Sequence, residues 1–291
     1  MVENRRKVAL AQMSPILGDV TANLDKHFRY IGEAKAAGAA LIVFPELGLT
    51  GYQVQDLTLD VARTLTHPDI LRLIGESIEI DVVFSFVEES ESHLFYISCV
   101  YASQGQVSHV HRKVYLPTYG MFDERRYFAP GTRMETFQGM GTMSGIMICE
   151  DAWHVTTPYL MALGGANLLL VPSCSPARSV TNQDFFGSQK FWRELLQVYA
   201  QLFGLSIIFV NRVGFEDGVA FFGGSLAVSA EGTWLLEAPT AVEGLFFADI
   251  DFRANRRARF ATPIVRDERP LLVRSELSRI LANRSGGDVD A

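Results

Sequence analysis

Residues 40–44 (Ala-Leu-Ile-Val-Phe) are apolar at every position, with no polar residue alternating among them. A strand with one wet face alternates; a strand without alternation is covered on both faces. Residues 144–149 and 167–171 read as buried strands of the same kind, and 206–210 as a further strand. A chain with several such runs needs sheets with cover on either side, hence an α/β fold and enough apolar side chains to fill it. The 291 residues are 48% hydrophobic and 20% charged, an ordinary globular balance. With no Ser/Gly-rich linker or low-complexity tract inside it, residues 1–284 are expected to form one domain, and 285–291 a frayed tail.

The rest of the pattern mixes helix-connected strands with hairpins. Strand 8–13 is followed by helical spacing of Leu24, Phe28, Ile31 and Ala34 over 21–38, so the chain opens β-α-β. A helix is expected from Pro68, a residue suited to a first helical turn. Strands are expected over 81–87, 94–102 and 106–115, the last placing residues 111, 113 and 115 on one face. Thr157-Pro158 starts a helix that Gly164-Gly165 stops. A helix over 191–203, a hairpin of 225–229 with 233–237, a strand over 244–251 and a helix over 270–282 complete the reading. Residues 139–145, with scattered glycines and no phosphate-loop spacing, read as a turn, and the basic run 253–259 as a solvated helix face.

The net charge of −7 argues against a nucleic-acid surface, although a local basic pocket is compatible with an acidic chain. No apolar run is long enough to span a membrane, and the start of the chain shows no leader peptide. Three cysteines, an odd number without a CxxC pair, fit a reducing compartment, and a cytoplasmic enzyme is the expectation. His109 and His111 share a strand face, but with no third ligand nearby neither a metal nor another cofactor is expected.

Three segments put reactive side chains at the ends of apolar runs. Glu46 follows 40–44 directly; alone it reads as a strand-end carboxylate in water or an ion pair. Lys113, in His111-Arg112-Lys113-Val114-Tyr115, is either exposed or held in a pocket. Cys149 closes 144–149 where the strand gives way to a turn and is followed by Glu150 and Asp151. Cys99, inside a strand, and Cys174, in a Pro/Ser loop, read as small core residues. Together the first three make a chemical set. A thiol of pKa about 8.5 needs a base. A carboxylate among apolar side chains is a better base than one in water. An oxyanion needs N–H donors and positive charge, available from the Glu150 backbone N–H and from Lys113.

The order Glu46, Lys113, Cys149 in FPELGLTGY, HRKVYLPTYGMFDERRYF and GIMICEDAW resembles the nitrilase, or carbon–nitrogen hydrolase, superfamily over nearly the whole chain. That resemblance implies a four-layer α-β-β-α sandwich, commonly a homo-oligomer, that hydrolyses a small amide. It also implies Cys149 as nucleophile, Glu46 as general base, Lys113 at the oxyanion and Glu124 positioning the lysine. A narrower likeness, carried by LTGY with Gln55-Asp56-Leu57, by residues 113–128 and by CEDAW, is to the glutaminase domain of glutamine-dependent NAD synthetases. It implies Tyr119 and Trp153 as pocket walls and Ser175, in the loop 173–176, as a contact for the amino-acid end of the substrate. Where those domains carry a basic residue six positions after the serine, this chain has Thr181, and Arg178 three after it. The resemblance stops short of a synthetase domain, so a separate synthetase is one expected partner. A free-standing amidase and a non-catalytic scaffold that kept the fold are the alternatives.

Overall fold

The computed structural model describes residues 5–178 and 186–285. The tail from 286 onward and Thr181 lie outside the described residues.

The first sheet is six-stranded, in the order β14-β1-β2-β3-β4-β5. Its strands are β1 (Arg5–Gln12), β2 (Leu41–Val43), β3 (Asp81–Glu89), β4 (Phe95–Ser103), β5 (Gln106–Arg112) and β14 (Gly244–Asp251). β1, β2 and β3 run parallel; β14 on one flank and β4 and β5 on the other are antiparallel. The second sheet, also six-stranded, has the order β13-β12-β9-β8-β7-β6. It contains β6 (Thr136–Gly139), β7 (Thr142–Ile146), β8 (Leu168–Ser173), β9 (Ser206–Asn211), β12 (Leu226–Val228) and β13 (Trp234–Glu237). Again three strands, β7, β8 and β9, are parallel at the centre with antiparallel flanks. A separate hairpin pairs β10 (Val213–Glu216) with β11 (Val219–Phe222).

β1 packs on β9 and β14 on β13, so the two sheets lie face to face. The inner strands are buried end to end: all of β2, β8 and β9 is shielded from solvent. Helices close the outside. α1 (Val20–Ala36) lies against the first sheet with Leu24, His27, Tyr30, Ile31 and Ala34 inward, and Asp19 caps it by accepting the Ala22 N–H at 2.9 Å. α2 (Thr58–Val61) is a single turn, and α3 (Pro68–Gly75) starts at its proline. α4 (Thr156–Leu163) and α5 (Gly187–Phe203) cover the second sheet; α5 buries Trp192, Leu196, Tyr199 and Phe203 and ends at a left-handed Gly204. α6 (Arg253–Ala261), α7 (Ile264–Asp267) and α8 (Pro270–Ser285) finish the chain. The result is the expected four-layer α-β-β-α sandwich. Among the described residues no helix is long and apolar enough to cross a membrane.

Three sequence expectations are corrected. The strand expected over 106–115 ends at Arg112, so Lys113 leaves the ladder, its N–H still donating to Ile97 carbonyl. The strand expected over 144–149 ends at Ile146, and Cys149 opens a 3₁₀ turn running to Trp153. Residues 139–145 form the β6–β7 hairpin rather than a turn alone, with Met140 and Gly141 at positive φ in its tip. The basic run 253–259 is helical, in α6, with Ala254 and Asn255 buried and arginines outward.

Candidate active site

Glu46 stands three residues beyond β2, where the chain leaves the first sheet, and is fully buried. Its Oε1 accepts from Lys113 Nζ at 2.7 Å and its Oε2 accepts the backbone N–H of Cys174 at 2.9 Å. The Cys174 thiol in turn donates to the Glu46 carbonyl oxygen. Cys174 follows β8 of the second sheet, so the carboxylate is gripped from both sheets at once. This is more than the small core residue that the sequence suggested.

Lys113 is 1% exposed and its ammonium has two carboxylates, Glu46 at 2.7 Å and Glu124 at 2.8 Å. Burial acts to lower its pKa, but the charges of Glu124 and Glu46 outweigh burial and raise it well above the ordinary value. One ammonium cannot balance two carboxylates. The excess shows on Glu124, which burial and the Glu46 charge push up to about 7 against the pull of Lys113. Glu124 Oε1 also accepts the Tyr52 hydroxyl at 2.5 Å.

Cys149 adopts φ +45°, a left-handed conformation that costs a residue with a Cβ on the order of 1–3 kcal/mol. The kink lifts its side chain out of the strand line, a geometry it shares with strand-to-helix nucleophile turns. Burial first, then Glu46, raises the thiol's pKa well above the usual range, while the Lys113 ammonium and the Cys174 N–H favour the thiolate. At rest the sulfur therefore keeps its proton.

Asp151 was not singled out by the sequence, where it is one more acid after Glu150. In the structure it is fully buried and joins the two reactive segments. Oδ1 accepts the N–H groups of Val114 at 3.0 Å and Tyr115 at 2.9 Å, the two residues after Lys113. Oδ2 accepts the Ile148 N–H at 3.0 Å, just before Cys149, and lies 2.8 Å from His111 Nε2. Since Asp151 accepts, Nε2 of His111 carries the hydrogen. His109, its neighbour on the strand, instead stacks on Phe137.

A cavity of about 170 Å³ opens on Cys149 and is lined by Tyr119, Phe122, Trp153, Ser175 and Arg178, with Glu150 beside them. All three residues expected in the pocket, Tyr119, Trp153 and Ser175, thus meet there. Tyr119 donates its hydroxyl to Glu150 Oε2 at 2.9 Å, Trp153 stacks on Phe191, and Ser175 Oγ accepts from Trp192 Nε1 at 2.9 Å. Arg178 lies over the Phe122 ring at 4.8 Å and puts a cation in the wall. Roomier surface clefts, of about 610 Å³ near Gln138 and about 280 Å³ near Arg112, contain none of Glu46, Glu124 or Cys149. Chemistry rather than volume locates the site. Among the described residues no cluster of three or more His, Cys, Asp or Glu is arranged to hold a metal.

Residues 7–260 match the family described as carbon-nitrogen hydrolase. The chain is 29% identical to the glutamine-dependent NAD(+) synthetase of Acinetobacter baylyi over 97% of its own length and 53% of that protein's. It is 27% identical to the N-carbamoylputrescine amidase of Arabidopsis thaliana over 97% of both chains. In fold it matches a crystal structure of a carbon-nitrogen hydrolase from Helicobacter pylori, with TM-score 0.84, 25% identity and coverage of 94% of this chain and 98% of that one. The chain therefore spans about half the length of the NAD synthetase relative and nearly all of the other two.

Proposed function

This chain belongs to the carbon–nitrogen hydrolase family, and from that premise we propose that it hydrolyses a small linear amide through a thioester on Cys149, the side-chain amide of glutamine being the first candidate. The observation that carries the proposal is the buried Glu46–Lys113–Glu124 group assembled around a nucleophile-type turn at Cys149. The thiol keeps its proton until substrate is bound, so a base must remove it during attack. Glu46 takes that proton as sulfur bonds to the amide carbon. The carbonyl electrons move to oxygen, which faces the Lys113 ammonium and the Glu150 N–H. The C–N bond then breaks, and Glu46 passes the proton to the departing nitrogen. Water, deprotonated by Glu46, attacks the thioester and returns the sulfur to its thiol. Losing one oxyanion donor typically costs about 2.7–4 kcal/mol of barrier stabilisation, or roughly 10²–10³ in kcat.

Glutamine fits the cavity chemically: Arg178 suits a carboxylate, Glu150 an ammonium, and Ser175 either end of an α-amino acid. The test is ammonia release from glutamine, asparagine, ω-amides, an N-carbamoyl amino acid and a nitrile. Cys149→Ala is expected to abolish turnover while remaining folded by circular dichroism. Ammonia release by this variant at the wild-type rate overturns the nucleophile assignment.

A second reading keeps the chemistry and adds a destination, an ATP-using synthetase as a separate partner. It is favoured by the glutamine-dependent NAD(+) synthetases among the relatives. It predicts that glutaminase turnover rises on adding such a synthetase. The homo-oligomer belongs to the same proposal, with light scattering expected to give at least twice the 32.3 kDa of one chain.

A further inference from the structure

Outside the cavity stands a buried ion pair, Arg212 with Glu216. Arg212 is fully buried: its side chain is 0% accessible, Nη1 donates to Glu216 Oε2 at 2.6 Å, and Nε and Nη2 have no hydrogen-bond partner among the described residues. Such a pair costs desolvation that apolar residues of similar size avoid, and replacing one by packed hydrophobics is often neutral or stabilising. Its second connection points to a use. Glu216 Oε1 accepts the backbone N–H groups of Tyr52 at 2.8 Å and Gln53 at 2.7 Å. Gly51 lets this loop pass the carboxylate: its φ is +79°, and a Cβ there would stand 2.8 Å from Glu216 Oε2 and from Leu17 Cα. Arg212 lies over Phe221 at 4.2 Å, and Phe221 meets the Tyr52 ring edge-on at 6.1 Å. Both members of the pair thus bear on Tyr52, whose hydroxyl donates to the Glu124 oxygen that also receives Lys113.

We propose that Glu216, held by Arg212, is a positioning residue for the hydrolysis: through the Tyr52 N–H it fixes Tyr52 so that the tyrosine hydroxyl holds the Glu124 carboxyl oxygen against the Lys113 ammonium. The inference rests on the reading of Lys113 as the oxyanion group. The groups facing Glu124 are Lys113 from beyond β5, Glu46 from beyond β2, Tyr52 from its loop and Cys149 from beyond β7, and its own turn carries Asp123, Arg125 and Arg126. Of these only Lys113 and the Tyr52 hydroxyl favour the Glu124 anion through hydrogen bonds. Loosening Tyr52 removes one of them and shifts Glu124 toward its acid.

The test compares wild type, Tyr52→Phe, Glu216→Gln and the double variant by ammonia release from glutamine and from propionamide between pH 5.5 and 9.5. In both single variants the acid limb of kcat is expected to move upward by about one pH unit, giving on the order of tenfold loss near pH 7 that recovers by pH 9. The double variant is expected to match Tyr52→Phe, because Glu216 acts through Tyr52. Should Glu216→Gln fail to fold, Glu216→Asp replaces it, with the same direction expected. An unmoved acid limb in Tyr52→Phe, or a double variant whose loss is the product of the single losses, overturns the inference. The underlying proposal fails differently: wild type releases no ammonia from any amide, or Cys149→Ala still does.

Discussion

At the scale of single residues the site is defined by an imbalance of charge. Two buried carboxylates share the Lys113 ammonium, and Glu124 carries the excess, with a pKa raised to about 7 from 4.5. Between those values the native state binds a proton that the unfolded chain has released. Glu124 therefore contributes most stability below about pH 4.5, and the contribution is lost as pH rises through 7. A shift of this size is worth on the order of 3 kcal/mol. Glu124→Gln is expected to remove that decline from urea-unfolding free energies measured across pH 5 to 8. Lys113→Met leaves both carboxylates without a cation, and is expected to cost about 3–5 kcal/mol in the same measurement and to abolish turnover. Glu46 and Cys149 stood out because each lies at the end of an apolar run, where a reactive side chain must be explained, whereas Lys113, inside a mostly polar strand segment, stood out only through the order of the three motifs. Asp151, Tyr52 and Cys174 were not legible as parts of one site. Asp151 reads as a surface acid, Cys174 works through its backbone N–H, and nothing local tells a bonded tyrosine from a packed one.

At the scale of elements, the continuous apolar runs of β2, β8 and β9 announced the buried strands, and Pro68 and the 3.6-residue spacing of α1 announced helices. Short elements escaped. β6 and the β10–β11 hairpin are four residues per strand and only partly covered, so no run or alternation rises above background. Where strands stop was also hidden: β5 and β7 end early because side-chain bonds from Asp151 take over the backbone N–H groups beyond them. α1 carries a titratable residue into the core. His27 is fully buried, stacks on Phe44 at 4.0 Å, and burial lowers its pKa to about 4 despite its bond to the Asn23 carbonyl. The unfolded chain binds a proton here that the native state refuses. The contribution of His27 is therefore present above about pH 6.5 and is lost as pH falls toward 4, again on the order of 3 kcal/mol. It opposes the trend of Glu124 over nearly the same window. His27→Phe is expected to expose that opposing trend, so that stability declines as pH rises from 5 to 7. A variant whose stability still climbs over that range contradicts the assignment.

At the scale of the whole molecule, neither sheet owns the site. Glu46 and Lys113 extend from the first sheet and Cys149 and Cys174 from the second, and the face-to-face stacking of the two brings them together. Asp151 spans that seam, binding the N–H groups after Lys113 and the one before Cys149. Asp151→Asn puts an amide NH₂ where a carboxylate oxygen accepted, facing either Ile148 N–H or the Val114 and Tyr115 pair. A stability loss of about 1–3 kcal/mol is expected. A fall in kcat of roughly 10–100-fold with KM little changed is also expected, since the seam sets the distance between lysine and sulfur. Wild-type kcat in a folded Asp151→Asn protein contradicts a role for the clamp. The protonated, enclosed sulfur of Cys149 has one more consequence. Peroxide attacks thiolates, and burial, with the Glu46 charge, holds this group toward its thiol form. The protein should accordingly outlast an oxidative burst that converts accessible low-pKa cysteines to sulfenic acid, the sulfur proposed as its nucleophile sheltered by its own proton.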